Sequence, residues 1–441
     1  MTGLVDDKGR DEDFFLRNGL PPETRGLCYD YVHTRYPGLT VQDAQPQGFC
    51  SHTLFVGEAL VVQFRPPTHQ LDVGLVQEAC RVYGDLAPET HLLGELRVEA
   101  CSSSRGEGCP KGVNSNEPCH RTAGIEGSCD KLLVYSMSRI PGVSLADFRE
   151  QQVDDVLSCK SKLGSYHKRD VISDFVRLSH RALQQAIPGD SASLATRKGR
   201  IGTSLQRRLE HMQSGLPLRF RARVTAVLSS LERIEALPWV LTHGDFTPSN
   251  VMVKTDSTER QGASERALTG GLRISGLIDW AEVEYLPFGV GLYGLEELLG
   301  ESVVDDGEDQ SRGGRYPAPK SMFEYYGGHR ELRRTFWEEL GARVPRLNTD
   351  KAFRETVELA RVLGILLWHG IAFDNGRLDR VVQPGVDDEE IQRLDLFLLG
   401  SPAASWGTVG PHRRRFRCWA TIKTAVSYIK GLLFGRLTAR D

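Results

Sequence analysis

This sequence lacks a surplus of either charge, a membrane-length apolar run and a paired-cysteine spacing, and each absence removes a class of protein. The chain carries 55 basic and 58 acidic side chains, a net charge of −3. The basic excess that binds phosphate backbones is therefore missing, and no nucleic-acid partner is expected. The most apolar long stretch, ARVLGILLWHGIAF, contains Arg361 and His369 and falls short of the roughly 20 residues that cross a bilayer. It reads as a core helix. The opening residues, MTGLVDDKGRDEDFF, are acidic and have no apolar run of leader length, so a cytoplasmic location is expected. Nine cysteines, an odd number spread along the chain, suit reduced thiols better than a disulfide scaffold. Cys101, Cys109, Cys119 and Cys129 gather near His120 in a Gly/Ser-rich stretch without a CxxC pair. A zinc site is poorly supported there, and a surface insertion is the preferred reading.

What is present is a patterned globular chain. Its 441 residues, 40% of them hydrophobic, hold two to three ordinary domains' worth of core, with no internal repeat. Residues 1–44 read as an extension. Between Gln47 and Val98 the runs TLFV and ALVVQF precede VGLVQEACRVYGDL, which has helical apolar spacing, predicting strand, strand, helix. After a polar insertion at about 100–131, LLVYSMSRIPG predicts a strand ending in a turn at Pro141 and Gly142. A small mixed lobe is thus expected over 45–142. From Leu145 the pattern turns helical, in DVISDFVRLSHRALQQA and RVTAVLSSLERIEAL, with GDSASLATRKGRIG a loop between them. WVLTHGD, NVMVK and ISGLIDW predict three short strands, the last two joined by a long polar hairpin loop. Helices are expected over 322–341 and 352–368, completing a lobe over 143–400. The tail beyond it, PHRRRFRCWATIKTAVSYIKGLLFGR, is basic and partly amphipathic. A packed or disordered extension is preferred there over contact with an anionic membrane.

The chemistry concentrates in THGDFTPSN and GLIDW. Phosphoryl transfer needs a clamped nucleotide, magnesium on hard oxygens and a base beside the accepting hydroxyl. Asp245 and Asn250 lie five residues apart in one strand-to-strand loop, so Asp245 can face the hydroxyl while Asn250 turns to the metal. Asp279 would reach the metal from the end of the next strand. Pro248 restrains the loop, and Gly244 allows close backbone approach.

In these residues the sequence resembles the aminoglycoside phosphotransferase and choline kinase-like family, relatives of the protein kinases. The family pattern is HGDxxxxN followed by an apolar residue, Asp and Trp or Phe; every position matches. The resemblance spans about residues 45–375 and looks closer to a fungal branch than to a bacterial resistance enzyme. It implies an α+β, two-lobed protein-kinase-like fold with a small antiparallel-sheet N-lobe carrying one helix, and a larger, mainly helical C-lobe. ATP and Mg2+ are the cofactors it implies. It makes Asp245 the catalytic base, Asn250 and Asp279 the magnesium ligands, and His243 the structural support of the loop.

For the nucleotide, GFCSHTLFVG resembles the family's phosphate-covering turn, with Gly48, Ser51 and Thr53 in its variable pattern. Glu78 lies where the family's first helix carries the glutamate that orients a phosphate-binding base; a solvated helix glutamate is the alternative. LLVYSMSRIPG resembles the hinge, with Met137, Ser138 and Ile140 along the adenine edge. One departure stands out: ALVVQFRPP has no lysine. Val61, Gln63 and Arg65 share a strand face. Arg65, with its permanently charged fork, is the preferred phosphate partner. Gln63 is the alternative, and would put catalytic power in doubt.

Protein kinases place a lysine two residues after the base and carry an Ala-Pro-Glu sequence. Here the first position is Thr247 and the second sequence is absent, so the expected partner is a small-molecule hydroxyl. Glu282, Glu284, Glu296, Glu297, Asp305, Asp306, Glu308 and Asp309 would form acidic walls for an amino sugar, a choline-like or another cationic alcohol. Trp280, Tyr285 and Trp368 would offer faces to an ammonium group, with core packing as the alternative. A catalytically weak nucleotide-binding module is the competing function.

Overall fold

The computed structural model describes residues 12–45, 47–98, 131–156, 162–255, 271–305, 320–374 and 377–400. The Cys-rich insertion, the basic tail and Asp306, Glu308 and Asp309 lie outside the described residues. The chain divides into two compact units, Met1–Val73 with Thr90–Arg139, and Gly74–Glu89 with Ile140–Asp441. The first is built on an antiparallel sheet and the second is mainly helical, the α+β arrangement that the resemblance implied.

In the first unit, β1 (Val41–Asp43), β2 (His52–Val56), β3 (Leu60–Arg65), β4 (Thr90–Arg97) and β5 (Lys131–Ser138) form one sheet in the order β1-β2-β3-β5-β4. Alternation decides its faces. Leu54 and Val56 of β2, Val62 and Phe64 of β3, and Leu132 and Val134 of β5 point one way into a single apolar cluster. Phe14 and Phe15 from the helix Glu12–Arg17, Leu20 from the connection after it, and Cys28 and Val32 from the helix Thr24–Arg35 close that cluster. The segment read as an extension therefore supplies one side of this core. Each such side chain contributes roughly 1.5–3 kcal/mol by leaving water. Gln63 and Arg65 belong to the opposite face, where Gln63 lies between Thr53 and Tyr135 in register.

In the second unit, β6 (Val143–Ser144), β8 (Val251–Thr255) and β9 (Leu272–Leu277) make a three-stranded sheet, while β7 (Trp239–Thr242) pairs with β10 (Glu284–Pro287). Two further antiparallel pairs join β11 (Gly300–Asp305) to β12 (Lys320–Tyr325) and β13 (Ile371–Asp374) to β14 (Arg377–Val381). The helix over Lys351–His369 is the apolar stretch expected in the core. Asp350 caps it by accepting from Phe353 N at 3.0 Å, a bond worth about 1 kcal/mol. Phe353, Val357, Ala360 and Gly364 then recur at helical spacing and are buried. The helix Val73–Tyr83 belongs to this unit in all but its first residue, held by Tyr83 Oη donating to Leu241 O at 2.6 Å.

Two sequence expectations are corrected. The stretch 322–341 begins as a strand, because Ser321 and Phe323 are buried while Glu324 is exposed, a period of two that pairs with β11. The helix expected through RVTAVLSSLERIEAL breaks at Ser229 and Ser230 into Leu218–Leu228 and Leu231–Glu235. No helix of the described residues is long and apolar enough to cross a membrane.

Candidate active site

Strand β7, buried along its whole length, delivers His243, and the chain turns at Gly244 with φ +80°. A side chain is excluded there twice. The left-handed backbone favours glycine, and a Cβ would strike the backbone carbonyl of Glu282.

From this turn four hydrogen-bonded links close a ring. Asn250 Nδ2 donates to Asp245 Oδ2 and to Asp245 O, both at 2.9 Å. Asn250 O accepts from Ile278 N at 3.0 Å. Ile278 O accepts from His243 Nε2 at 2.8 Å, and His243 Nδ1 accepts from Asp245 N at 3.2 Å. Each bond contributes about 1 kcal/mol. Val251 pairs with Leu277 across β8 and β9, so Asn250 and Asp279 leave adjacent strand ends. The ring joins three of the four residues singled out in the two motifs, His243, Asp245 and Asn250, through the backbone of Ile278, and Asp279 is the next residue along the chain.

The ring also fixes the state of His243. With Nδ1 accepting and Nε2 donating, the imidazole is neutral, and a second proton would oppose the Asp245 N–H. Burial lowers its pKa to about 4, against the opposing hydrogen bond to Ile278 and the charge of Asp279. Asp279 itself has φ 59°, the one positive value at a non-glycine among the described residues. Such a conformation costs about 1–2 kcal/mol. Trp280 locks the backbone beside it, donating from Nε1 to Leu277 O at 2.8 Å and packing on His243 with ring centroids 4.5 Å apart.

Three of the expected acidic side chains do not form an open wall. Glu284 is half-buried and accepts from Ile201 N at 2.8 Å and Gly202 N at 3.1 Å; desolvation raises its pKa against those bonds. Glu296 accepts from Tyr325 Oη and Arg333 Nη2, each at 2.6 Å, and from Arg361 Nη1 at 2.8 Å. Glu297 faces Arg393 at 3.1 Å and His369 Nε2 at 3.3 Å. Burial would raise the pKa of Glu297, but Arg393 and His369 outweigh it and hold it at about 2. The aromatic faces are likewise mostly spent. Trp280 and Tyr285 are buried, whereas the half-buried Trp368 stacks on Tyr293 at 5.2 Å with 15° between the planes.

In the first unit, Gly48 is exposed on the connection from β1 to β2, and Ser51 Oγ is 3.1 Å from Thr53 Oγ1. The two alternatives for the missing lysine are joined: Arg65 Nε donates to Gln63 Oε1 at 3.0 Å, and Arg65 Nη1 to His69 O at 3.3 Å. Met137 and Ser138 end β5 opposite Val61 and Leu60. In the second unit, Ile140 is buried against Gly276. Glu78 accepts from Tyr285 Oη at 2.5 Å and also pairs with Arg81 and Arg197. A mainly apolar cavity of about 60 Å³, lined by Phe175, Thr242, His243, Phe246 and Tyr293 among others, is far below the roughly 300 Å³ of a ligand pocket.

Sequence reasoning missed Tyr293. Its hydroxyl accepts from Phe246 N at 2.6 Å, and its pKa is raised well above the usual value, by burial first and then by the charge of Asp245. The signal was PFGVGLYG, three glycines within an apolar run, a composition suited to close backbone approach.

No protein-family model and no curated protein matches the chain. Several solved structures are similar to it. The GDP complex of wild-type aminoglycoside 2'-phosphotransferase-IIIa is 13% identical over 78% of this chain and 90% of its own, with a TM-score of 0.42. Aminoglycoside phosphotransferase APH(3'')-Id from Streptomyces rimosus is 11% identical, covering 78% and 99%, with a TM-score of 0.39. A glucosamine kinase is 12% identical, covering 95% and 82%, with a TM-score of 0.35.

Proposed function

We propose that this chain is an ATP- and magnesium-dependent phosphotransferase that moves the γ-phosphoryl group to a hydroxyl of a small molecule. The single observation that carries the reading is the ring through His243, Asp245, Asn250 and Ile278, because it joins a base to one oxygen donor, Asn250, and ends one residue before a second, Asp279. Asp245 is the base: the acceptor's proton passes to its carboxylate as the acceptor oxygen bonds to the γ-phosphorus. The bond to the bridging oxygen breaks, and its electron pair leaves with ADP. Neutral His243 holds the loop and takes no part in the proton transfer.

The donor set fits a hard cation. The amide nitrogen of Asn250 is committed to Asp245, which leaves its oxygen, with the Asp279 carboxylate, as the kind of ligand Mg2+ takes. Bound there, the cation would neutralise charge on the transferred group. For the nucleotide, we assign Gly48 and Ser51 to the phosphates, Arg65 as a phosphate cation oriented by Gln63, and Met137, Ser138 and Ile140 to the base edge. Glu78 anchors its helix on Tyr285.

Thr247 in place of a lysine supports a small-molecule acceptor over a peptide. The narrower reading, an amino sugar, choline-like or other cationic alcohol, rests on the stacked Trp368 rather than on Glu284, Glu296 or Glu297. A catalytically weak nucleotide-binding module is the second reading, favoured by the missing lysine and by the engagement of Arg65 with Gln63 and His69.

The test is ADP release from ATP and Mg2+ with pooled amino sugars, choline-like alcohols and ketosamines. Turnover with one pool, lost in Asp245→Ala while Mg-ATP still binds, is the expected result. Nucleotide binding without turnover in any pool would support the second reading, and failure to bind nucleotide removes both.

A further inference from the structure

The segment Phe288–Gly294 is packed without room for side chains at its glycines. A Cβ on Gly289, whose φ is +110°, would lie 2.7 Å from the Ala360 Cβ, and one on Gly291 would lie 3.0 Å from Thr242 Cγ2. A Cβ on Gly294 would strike the ring of Phe246, and on the facing helix a Cβ on Gly364 would strike the carbonyl of Val290. The segment is thus wedged between the loop that carries Asp245 and the helix Lys351–His369. Its last polar group before Gly294 is the Tyr293 hydroxyl, which accepts from the N–H of Phe246, the residue after Asp245. That N–H is buried, and a buried donor without an acceptor is costly.

We infer that Tyr293 is a positioning residue for the transfer: its hydroxyl fixes the backbone on the far side of Asp245 from His243, and its ring, stacked on Trp368, ties that backbone to the helix Lys351–His369. The inference rests on the phosphotransfer reading. Asp245 is then held from both flanks, its own N–H on His243 Nδ1 and the next N–H on Tyr293 Oη. With either flank released, the carboxylate samples orientations that do not reach the acceptor. The loss falls on the chemical step and not on substrate binding.

The experiment compares the full wild-type chain with Tyr293→Phe and Gly294→Ala. Hydrogen exchange is followed at the Phe246 amide, with kcat and KM measured on the acceptor found by the ADP screen. Tyr293→Phe keeps the stacked ring and removes only the acceptor oxygen; Gly294→Ala pushes on the Phe246 ring without touching the hydroxyl. Loss of one hydrogen bond predicts exchange at Phe246 about tenfold faster and kcat about tenfold lower in Tyr293→Phe, with KM unchanged and the rest of the chain equally protected. Unchanged exchange at Phe246 in both variants, or a fall in kcat matched by a rise in KM and by general loss of protection, overturns the inference. If no pool is turned over by the wild-type chain the phosphotransfer reading fails by itself, and if Asp245→Ala keeps full turnover Asp245 is not the base; in either case exchange at Phe246 still decides whether Tyr293 holds the loop.

Discussion

Asp245 and Asp279 on one side, and Glu296 and Glu297 on the other, are carboxylates of the same unit treated in opposite ways. Glu296 and Glu297 are almost fully buried and matched by Arg333, Arg361, Arg393 and His369. Their charge is consumed in holding helices together. Asp245 is bonded to an amide and Asp279 sits on a strained backbone. The contrast teaches that proximity in sequence to the candidate loop says little about a carboxylate's use; what matters is which groups surround it in space.

The sharpest break in that comparison is Asp245→Ala. We expect turnover to fall about a thousandfold, the scale of a lost general base, with the melting temperature nearly unchanged. Glu297→Ala should do the reverse, removing the carboxylate that faces Arg393 and His369 in the interior and destabilising the fold by about 3–5 kcal/mol in denaturant titration. A fully soluble, equally stable Glu297→Ala chain would contradict the structural role.

The next effect is acid sensitivity. Because His243 has its pKa depressed from 6.5 to about 4, its contribution is fully present above pH 6.5 and is lost as pH falls through about 4. The loss amounts to about 3 kcal/mol, and His243→Asn should flatten that limb of the stability profile. His369 has the opposite sign. Burial opposes its charge, but the neighbouring carboxylates of Glu297 and Glu390 outweigh burial and raise its pKa. Its contribution is present below pH 6.5 and is lost as pH rises through the raised value. The smallest effect separates the two classes of carboxylate most cleanly. Asp279→Gly relieves the left-handed strain and should gain up to about 1 kcal/mol in thermal unfolding, while magnesium-dependent nucleotide binding weakens.

Much of this site could be read from the chain. The apolar runs around Val240, Val253 and Leu277 foretold the strands, and the spacing of His243, Asp245 and Asn250 put them in the one loop where they are hydrogen-bonded. Other features were not legible. Phe323 lies in a strand because β11 pairs with it, and six residues are too few for a period to declare itself. The helix carrying Glu78 was read with the sheet that precedes it, but Tyr83 and Tyr285 hold it in the other unit. Glu296 and Glu297 looked like exposed acid because their balancing arginines lie 37 to 96 positions away.

The sequence by itself determined what is local: the glycine that lets the loop turn at 244, the residue types able to hold a metal or move a proton, and the apolar periods that build strands and the helix Lys351–His369. Tertiary structure alone decided which charges are neutralised, that His243 stays neutral, and that Tyr293 reaches the amide beside Asp245. Backbone conformation and periodicity depend on neighbours along the chain, whereas desolvation and charge pairing depend on neighbours in space.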